Sequence, residues 1–84
     1  GDVFEGNFKN GNVEGEIIIH YADGSKFRGI YKDGKRNGKA IEVDKAGNRF
    51  EGIYKDDRRD GEYIEKDRNG NITSQGTYVR GRKQ

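Results

Sequence analysis

The sequence predicts an all-β fold, namely a single elongated, twisted antiparallel sheet made of stacked β-hairpins. Three observations support this prediction: a repeat of 23 residues, glycine-containing turns between short β-like runs, and no apolar residues at helical spacing. KFRGIYKDGKRNG, which begins at Lys26, recurs as RFEGIYKDDRRDG at Arg49, and VFEGNFKNGNVEG at Val3 fits the same frame. Such self-similarity is typical of repeat arrays, in which each repeat contacts only its neighbours.

The repeat divides the 84 residues into one array with copies at 3–25, 26–48 and 49–72 and a partial copy at 73–84. Gly76 of the fourth copy lies 24 positions after Gly52 instead of 23, which predicts one inserted residue around Asn71 to Thr73. Because the chain begins with glycine inside the first repeat and ends within the fourth, we expect it to be a fragment of a longer protein.

The composition predicts a folded but thin structure. Hydrophobic residues make up 29% and charged residues 38% of the chain, and the formal net charge is only +2. A chain of this length buries roughly 60 to 65% of its unfolded surface, which leaves little room for an enclosed active site. No apolar run approaches the ~20 residues of a membrane-spanning helix, so a soluble chain is expected. Localisation stays open, with an intracellular compartment slightly favoured.

The first strand of each repeat carries an aromatic stripe. FEGNF, FRGIY and FEGIY place aromatic residues at the first and fifth positions with glycine between them, so all three positions share one face of a strand. We expect the glycine to let a neighbouring ring or backbone pack closely against the strand.

The rest of each repeat predicts a loop, a second strand and a tight turn. The loop of about seven residues reads KNGNVEG, KDGKRNG or KDDRRDG. The second strand reads EIIIHY, KAIEVD or EYIEKD and shares an isoleucine at Ile18, Ile41 and Ile64. ADGS, KAGN and RNGN are hairpin turn signals, and together these segments predict seven short strands in an antiparallel meander.

These residues resemble the MORN repeat family, whose pattern is an aromatic residue, any residue, glycine and an aromatic residue, followed by glycine turns. The closest stretch is YADGSKFRGIYKDGKRNGK, and the resemblance extends from Val3 to Gly81. The chain departs from the pattern where the family often has a second glycine, at Ile17, Ala40 and Tyr63, and Asp57 replaces a turn glycine. The resemblance implies a non-catalytic module for interaction or dimerisation, and phospholipid binding has been proposed for some members.

Two apparent ligand motifs are explained better by the repeat. GIYKDGK, which begins at Gly29, has the glycine and lysine spacing of a phosphate-binding loop, but Arg36 follows where serine or threonine is needed. Acidic residues at 56, 60 and 67 mimic a calcium loop, but Arg58 occupies the third ligand position. We therefore predict neither a nucleotide site nor a metal site.

The sequence also shows no recognisable arrangement of catalytic residues. His20 is the only histidine, its equivalents are Val43 and Lys66, and the chain has no cysteine. No nucleophile stands at a recognisable spacing from a base. The sequence predicts that the chain is not an enzyme and needs no cofactor. The sequon at Asn71 matters only if the chain is secreted.

The leading functional hypothesis is a scaffold that presents a face and an edge of the sheet to another protein or to a second copy of itself. The candidate partner-binding residues are the aromatic ones: Phe27, Tyr31, Phe50, Tyr54 and Tyr78. The alternative for each ring is that it only stacks on rings of neighbouring repeats.

A second hypothesis is a module that binds phosphoinositides or another anionic membrane surface. The predicted loops carry cations that would emerge along one edge of the array, and the candidates are Lys35, Arg36, Arg58, Arg59, Arg80 and Arg82. Nearby acidic residues cancel part of this charge, and the small net charge argues against nucleic acid. A third possibility is that the array regulates an enzyme domain outside this chain.

Overall fold

A computed structural model describes all 84 residues, and it shows one open antiparallel sheet without helices. None of its elements is a helix that could cross a membrane. The predicted fold class is confirmed. The strands are β1 (Val3–Lys9), β2 (Asn12–His20), β3 (Lys26–Lys32), β4 (Lys35–Val43), β5 (Arg49–Lys55), β6 (Arg58–Arg59), β7 (Gly61–Lys66), β8 (Ile72–Val79) and β9 (Arg82–Lys83).

The strands lie in the sheet in the order in which they occur in the chain. β7 follows β5 along the sheet, while the short β6 pairs with the end of β5. The count of nine exceeds the predicted seven because two further strands, β6 and β9, each have only two residues. The molecule measures 39 × 29 × 15 Å, as expected for a single layer of hairpins.

The predicted loops of about seven residues are wrong, because the chain reverses within two residues. β2 begins at Asn12, directly after Asn10 and Gly11, and β4 begins at Lys35, directly after Asp33 and Gly34. Both residues of each turn have positive φ, for example 52° at Asp33 and 78° at Gly34, as a type I′ hairpin turn requires.

The remainder of each predicted loop is bulged strand. Between β3 and β4 the register shifts between Gly29 and Tyr31, so that β4 has extra residues near Gly38, whose φ is 103°. Glycine adopts this backbone conformation without steric cost, which explains why a glycine-rich segment stays in the sheet. The bulge leaves Arg36 and Ala40 on the same side of the sheet, opposite Tyr31 and Gly29.

The turns predicted at ADGS, KAGN and RNGN are confirmed and share one pattern of backbone hydrogen bonds. In the second and third of these turns an aspartate carboxylate adds further bonds. The Asp44 carboxylate accepts hydrogen bonds from the backbone N–H groups of Ala46 and Asn48, both at 2.9 Å. Asp67 accepts equivalent bonds from Asn69 and Asn71. These bonds, chiefly those from Asn48 and Asn71, stabilise the charged carboxylates and lower the pKa of both.

The inserted residue predicted near residues 71 to 73 is Thr73. In the preceding repeat, Glu42 pairs with Phe50 and Val43 pairs with Arg49. In the last hairpin, Glu65 pairs with Ser74 whereas Lys66 pairs with Ile72, so Thr73 is left without a partner. The insertion therefore forms a bulge at the start of β8, and the turn before it keeps the geometry of the other turns.

The two faces of the sheet have different compositions. All buried hydrophobic residues lie on one side, the aromatic face, and they are Ile17, Phe27, Ala40, Phe50, Tyr54, Tyr63 and Tyr78. The opposite side, the isoleucine face, carries Ile18, Ile30, Ile41, Ile53 and Ile64. Ile17, Ala40 and Tyr63, which replace a glycine of the family pattern, are thus core residues.

The stripe glycines of the second and third repeats are each required by a ring of their own strand. A Cβ atom on Gly52 would lie 2.5 Å from Cζ of Phe50, and one on Gly29 would lie 2.7 Å from Cζ of Phe27. The phenylalanine two residues earlier therefore folds along the strand and covers the glycine. This arrangement keeps the ring flat against the sheet and allows the next repeat to pack on it.

Candidate interaction surfaces

Two arginine side chains cover the aromatic stripe. Cζ of Arg36 lies 4.4 Å from the ring centroid of Tyr54 and 6.0 Å from that of Phe27. Cζ of Arg59 lies 3.7 Å from the centroid of Phe50 and 5.4 Å from that of Tyr78. Each arginine thus contacts the phenylalanine of its own repeat and the tyrosine of the next, and these cation–π contacts join consecutive repeats.

A carboxylate and two tyrosine hydroxyls hold Arg59 in place. Arg59 donates hydrogen bonds to Oε2 of Glu42 at 2.9 Å and to the hydroxyl of Tyr78 at 3.1 Å, and Tyr54 bonds the same Glu42 oxygen. Burial disfavours the charge of Arg59, but the bonds to Tyr54, Glu42 and Tyr78 outweigh it and raise its pKa.

Arg36 uses a different acidic partner. Its Nε donates to Oδ1 of Asp57 at 2.8 Å, and the Arg36 backbone N–H donates to the same oxygen at 3.1 Å. The side-chain bond, followed by the backbone bond, lowers the pKa of Asp57. Asp57 replaces a turn glycine, so this departure from the repeat pattern supplies the partner of Arg36.

A third cation, Lys83, occupies the position equivalent to Arg59. Its Nζ lies 3.0 Å from Oε1 of Glu65 and 5.1 Å from the ring centroid of Tyr63. The bond to Glu65 raises the pKa of Lys83. The candidate residues predicted from the sequence did not include Lys83, Glu42 or Glu65, although the 23-residue spacing of the two glutamates was a detectable signal.

The predicted partner-binding aromatic residues pack on one another. Phe27 meets Tyr54 edge-on at 6.2 Å between ring centroids, and Phe50 meets Tyr78 edge-on at 6.1 Å. These four rings are buried, whereas Tyr31 is half-buried. The structure therefore shows the stacking role for these residues, and contact with a partner stays a prediction. Tyr63, which the prediction omitted, belongs to the same cluster.

The six predicted lipid-binding cations do not share one surface. Arg36 and Arg59 lie on the aromatic face, within the contacts described above. Because successive side chains of a strand alternate between faces, Lys35, Arg58 and Arg82 lie on the isoleucine face. Arg80 is at the tip of the last hairpin, where its φ is 50°. Their binding role stays a prediction.

The cations of the isoleucine face form what we call the cation ladder: Lys32, Lys35, Lys55, Arg58 and Arg82. Lys32 lies directly opposite Lys35 in the sheet, and Lys55 lies directly opposite Arg58. All five side chains are exposed. The seven ion pairs of the chain involve other cations, so no carboxylate lies within 4.0 Å of the ladder. Like charges that lie directly opposite each other destabilise a sheet, so the cation ladder lowers the stability of the chain.

The isoleucine face is uncovered along its whole length. Ile30 is 45% exposed, Ile41 is 37% exposed and Ile53 is 38% exposed. A shallow groove of about 710 Å³ crosses the strands from β4 to β8, with Ile41, Ile53 and Ile64 in its walls. Lys39 and Glu62 also line the groove, and neither forms an ion pair in the chain.

No three side chains of the His, Cys, Asp and Glu types form a cluster that could hold a metal ion. His20 Nε2 lies 3.0 Å from a carboxylate oxygen of Glu5. The candidate sites are therefore the two faces of the sheet. The aromatic face is covered by cations of the chain, and the isoleucine face is exposed.

Comparison with known proteins agrees with the repeat structure. The MORN repeat family model matches residues 4–26, 27–49 and 50–62, which are consecutive segments starting 23 residues apart. No curated protein matches the chain. The family is generally non-catalytic, and the repeats are consistent with an interaction module. Because the matched segments cover most of the chain and coincide with its hairpins, the chain belongs to the MORN repeat family.

Proposed function

We propose that this chain is a non-catalytic scaffold that binds another protein on the isoleucine face of its sheet. One contrast supports the proposal most strongly. The aromatic face is covered by Arg36, Arg59 and Lys83, whereas the isoleucine face exposes Ile30, Ile41 and Ile53 with nothing packed on them. Exposed apolar surface with charged residues around it is typical of protein-binding sites.

The groove indicates the chemistry of the partner. It crosses several strands, so a bound segment contacts residues from the second, third and fourth repeats at the same time. Ile41 and Ile53 would contact apolar side chains of the partner. Lys39 and Glu62 are available without breaking an ion pair, so they favour an acidic and a basic side chain at matching positions.

A second copy of the chain fits this face less well. Lys26 and Arg49 flank Val43 on the strands to either side of it. A two-fold axis along β4 would therefore place Lys26 of one copy against Arg49 of the other, and opposed like charges are unfavourable. Association of copies through the free edge of β1 is the remaining route to a dimer.

The test compares two variants in which two exposed apolar side chains are replaced by serine. Ile41→Ser with Ile53→Ser changes the isoleucine face, and Phe4→Ser with Phe8→Ser changes exposed rings of the first repeat. Proteins retained by the immobilised wild-type chain are identified by mass spectrometry, then purified and titrated by calorimetry. We expect the isoleucine variant to lose at least about tenfold in affinity, since hot-spot residues each contribute about 1 kcal/mol or more.

Equal binding by wild type and the isoleucine variant would contradict the proposal, as would equal losses in both variants. Light scattering over a concentration series is run in parallel. A dimer that dissociates in the isoleucine variant would show that the occupant of this face is a second copy.

Binding to an anionic membrane is a second candidate function, and the unpaired cation ladder is the observation that favours it. Each basic residue near an anionic surface contributes about 1 kcal/mol. The suitable variant is Lys35→Glu with Arg58→Glu, because substitutions of Arg36 or Arg59 would also disturb the aromatic face. Binding to phosphoinositide vesicles should fall at high salt and in this variant. Unchanged vesicle binding would exclude the ladder as a lipid site.

A further inference from the structure

We infer that the cation ladder binds an acidic segment of a partner protein that also carries apolar side chains. This inference rests on the proposed interaction function and specifies the partner's chemistry. Two consecutive hairpins place cations directly opposite each other, Lys32 with Lys35 and Lys55 with Arg58. Arg82 continues the row in the fourth repeat. An external anion relieves the repulsion within each pair, since none of these cations forms an ion pair within the chain.

The spacing of the ladder fits an extended chain. Adjacent strands of a sheet lie about 4.8 Å apart, so equivalent cations of successive hairpins, two strands apart, are separated by roughly 10 Å. An extended polypeptide in the polyproline II conformation advances about 3.1 Å per residue with three residues per turn, so every third side chain points the same way at a spacing of about 9 Å. Acidic side chains at every third position of the partner would therefore meet the ladder at Lys32 and Lys35, at Lys55 and Arg58, and at Arg82.

The ladder lies beside carboxylates as well as further cations. At the hairpin tips beyond it lie the exposed residues Asp33 and Asp56, and further inward the isoleucine face carries Glu62 together with Lys39 and Lys26. A membrane that approached the ladder would meet the two carboxylates at the tips, and its anionic headgroups would be repelled there. A single extended segment can follow the row of unpaired cations without contacting the tips, so the charge pattern favours a peptide over a bilayer.

Exposed isoleucines adjoin the ladder on the same face. Ile30 precedes Lys32 by two residues and Ile53 precedes Lys55 by two residues, so each shares the face of its neighbour. A segment with acidic residues over the ladder would place intervening apolar residues beside Ile30 and Ile53. Binding would then combine charge attraction with burial of apolar surface.

The experiment titrates the whole chain with a fluorescent peptide, Gly-Glu-Ser-Leu-Glu-Ser-Leu-Glu-Gly, and measures anisotropy at low and physiological salt. The ladder variant is Lys35→Gln with Arg58→Gln. The matched control is Lys45→Gln with Arg68→Gln, which removes the same charge from exposed cations in the repeat turns at the opposite edge. We expect binding to weaken about fivefold in the ladder variant and by less than about twofold in the control.

Further arms distinguish the alternatives. A peptide with Gln in place of Glu should bind at least about fivefold more weakly. Equal binding of both peptides, or equal losses in both variants, would overturn the inference. So would ladder-dependent binding to phosphatidylserine vesicles without binding to the peptide, which would establish a membrane site. If the chain does not bind the peptide while partner proteins still require Ile41 and Ile53, the inference fails and the proposed function stands. If the chain does not bind the peptide and partner binding does not depend on Ile41 and Ile53, both the inference and the proposed function are overturned.

Discussion

The first and third repeats contain nearly the same stripe, FEGNF and FEGIY, but the sheet buries them differently. Phe4 is 42% exposed and Phe8 is 67% exposed, whereas Phe50 is 7% exposed and Tyr54 is 5% exposed. β5 has a strand on each side, while β1 pairs with β2 alone. Residues of one repeat thus form the strands, and residues of neighbouring repeats bury them.

Cations also contribute to the different burial of the aromatic stripes in the first and third repeats. Arg59 covers Phe50 and bonds Glu42, whereas the equivalent position in the first repeat is Val13. We therefore expect the cost of a substitution to depend on its repeat, and paired substitutions at equivalent positions measure that dependence.

The largest contrast is expected for the phenylalanines. Phe50→Ala removes a buried ring that contacts Tyr63, Tyr78 and Arg59, and it should cost about 3 kcal/mol or more. Phe4→Ala should cost only about 1 kcal/mol because Phe4 is 42% exposed and lies in the edge strand. Urea unfolding followed by circular dichroism measures both values. Equal costs would show that burial is uniform along the array.

Substitutions of the stripe glycines should give a smaller difference in stability between the third and the first repeat. In Gly52→Ala the new methyl group would overlap the ring of Phe50, which is held by its neighbours, so we expect a cost of about 1 to 3 kcal/mol. In Gly6→Ala the methyl group would overlap the terminal Cδ1 atom of Ile17, so the end of one aliphatic side chain has to move instead of a packed ring, and the cost should be smaller. Thermal unfolding of the two variants should therefore differ, and a greater loss in Gly6→Ala would contradict the packing described for the third repeat.

Substitutions of two neighbouring cations that lie on opposite faces should also differ in their effect on stability. Arg59→Gln removes the contact with Phe50 and leaves Glu42 half-buried without its ion pair, so about 1 to 2 kcal/mol should be lost. Arg58→Gln removes an exposed ladder cation and should change stability by no more than about 0.5 kcal/mol. Chemical denaturation of both variants tests the assignment of Arg59 to the core. A loss in Arg58→Gln as large as that in Arg59→Gln would contradict it.

The smallest expected effect is on the free energy of unfolding at acid pH. The bond to Arg36 lowers the pKa of Asp57 below its ordinary value of 3.8. The stability linked to this pair is therefore fully present above pH 3.8 and is lost as the pH falls through the lower folded-state pKa. Asp57→Asn should reduce the dependence of the unfolding free energy on pH in this range. Identical slopes for variant and wild type would show that the pair does not contribute.

The repeat pattern predicted the sheet, its hairpins and the position of the extra residue, because each of these depends on local spacing. Asn10-Gly11 and Asp33-Gly34 also carried the signal for two-residue turns, but the later glycines were read as part of the same loop. Gly38 instead lies in a bulge of β4, and Arg36 beyond the bulge lies opposite Tyr31 on the aromatic face.

The covered aromatic face could not be predicted from local spacing. Arg59 lies between a ring of its own repeat and a ring of the next, and its carboxylate partner Glu42 comes from the repeat before. Such a contact requires the register of three hairpins at once. The exposed ladder follows from the same register, since alternation sends Arg58 to the side opposite Arg59.

Amide hydrogen exchange of the intact chain, resolved by NMR, tests most directly whether neighbouring repeats determine the stability of each hairpin. Amides hydrogen-bonded between β4 and β5 should exchange far more slowly than those bonded between β1 and β2, because the latter pair has a free edge and exposed rings. Equal protection of the two strand pairs, with one free energy of opening throughout, would contradict the account.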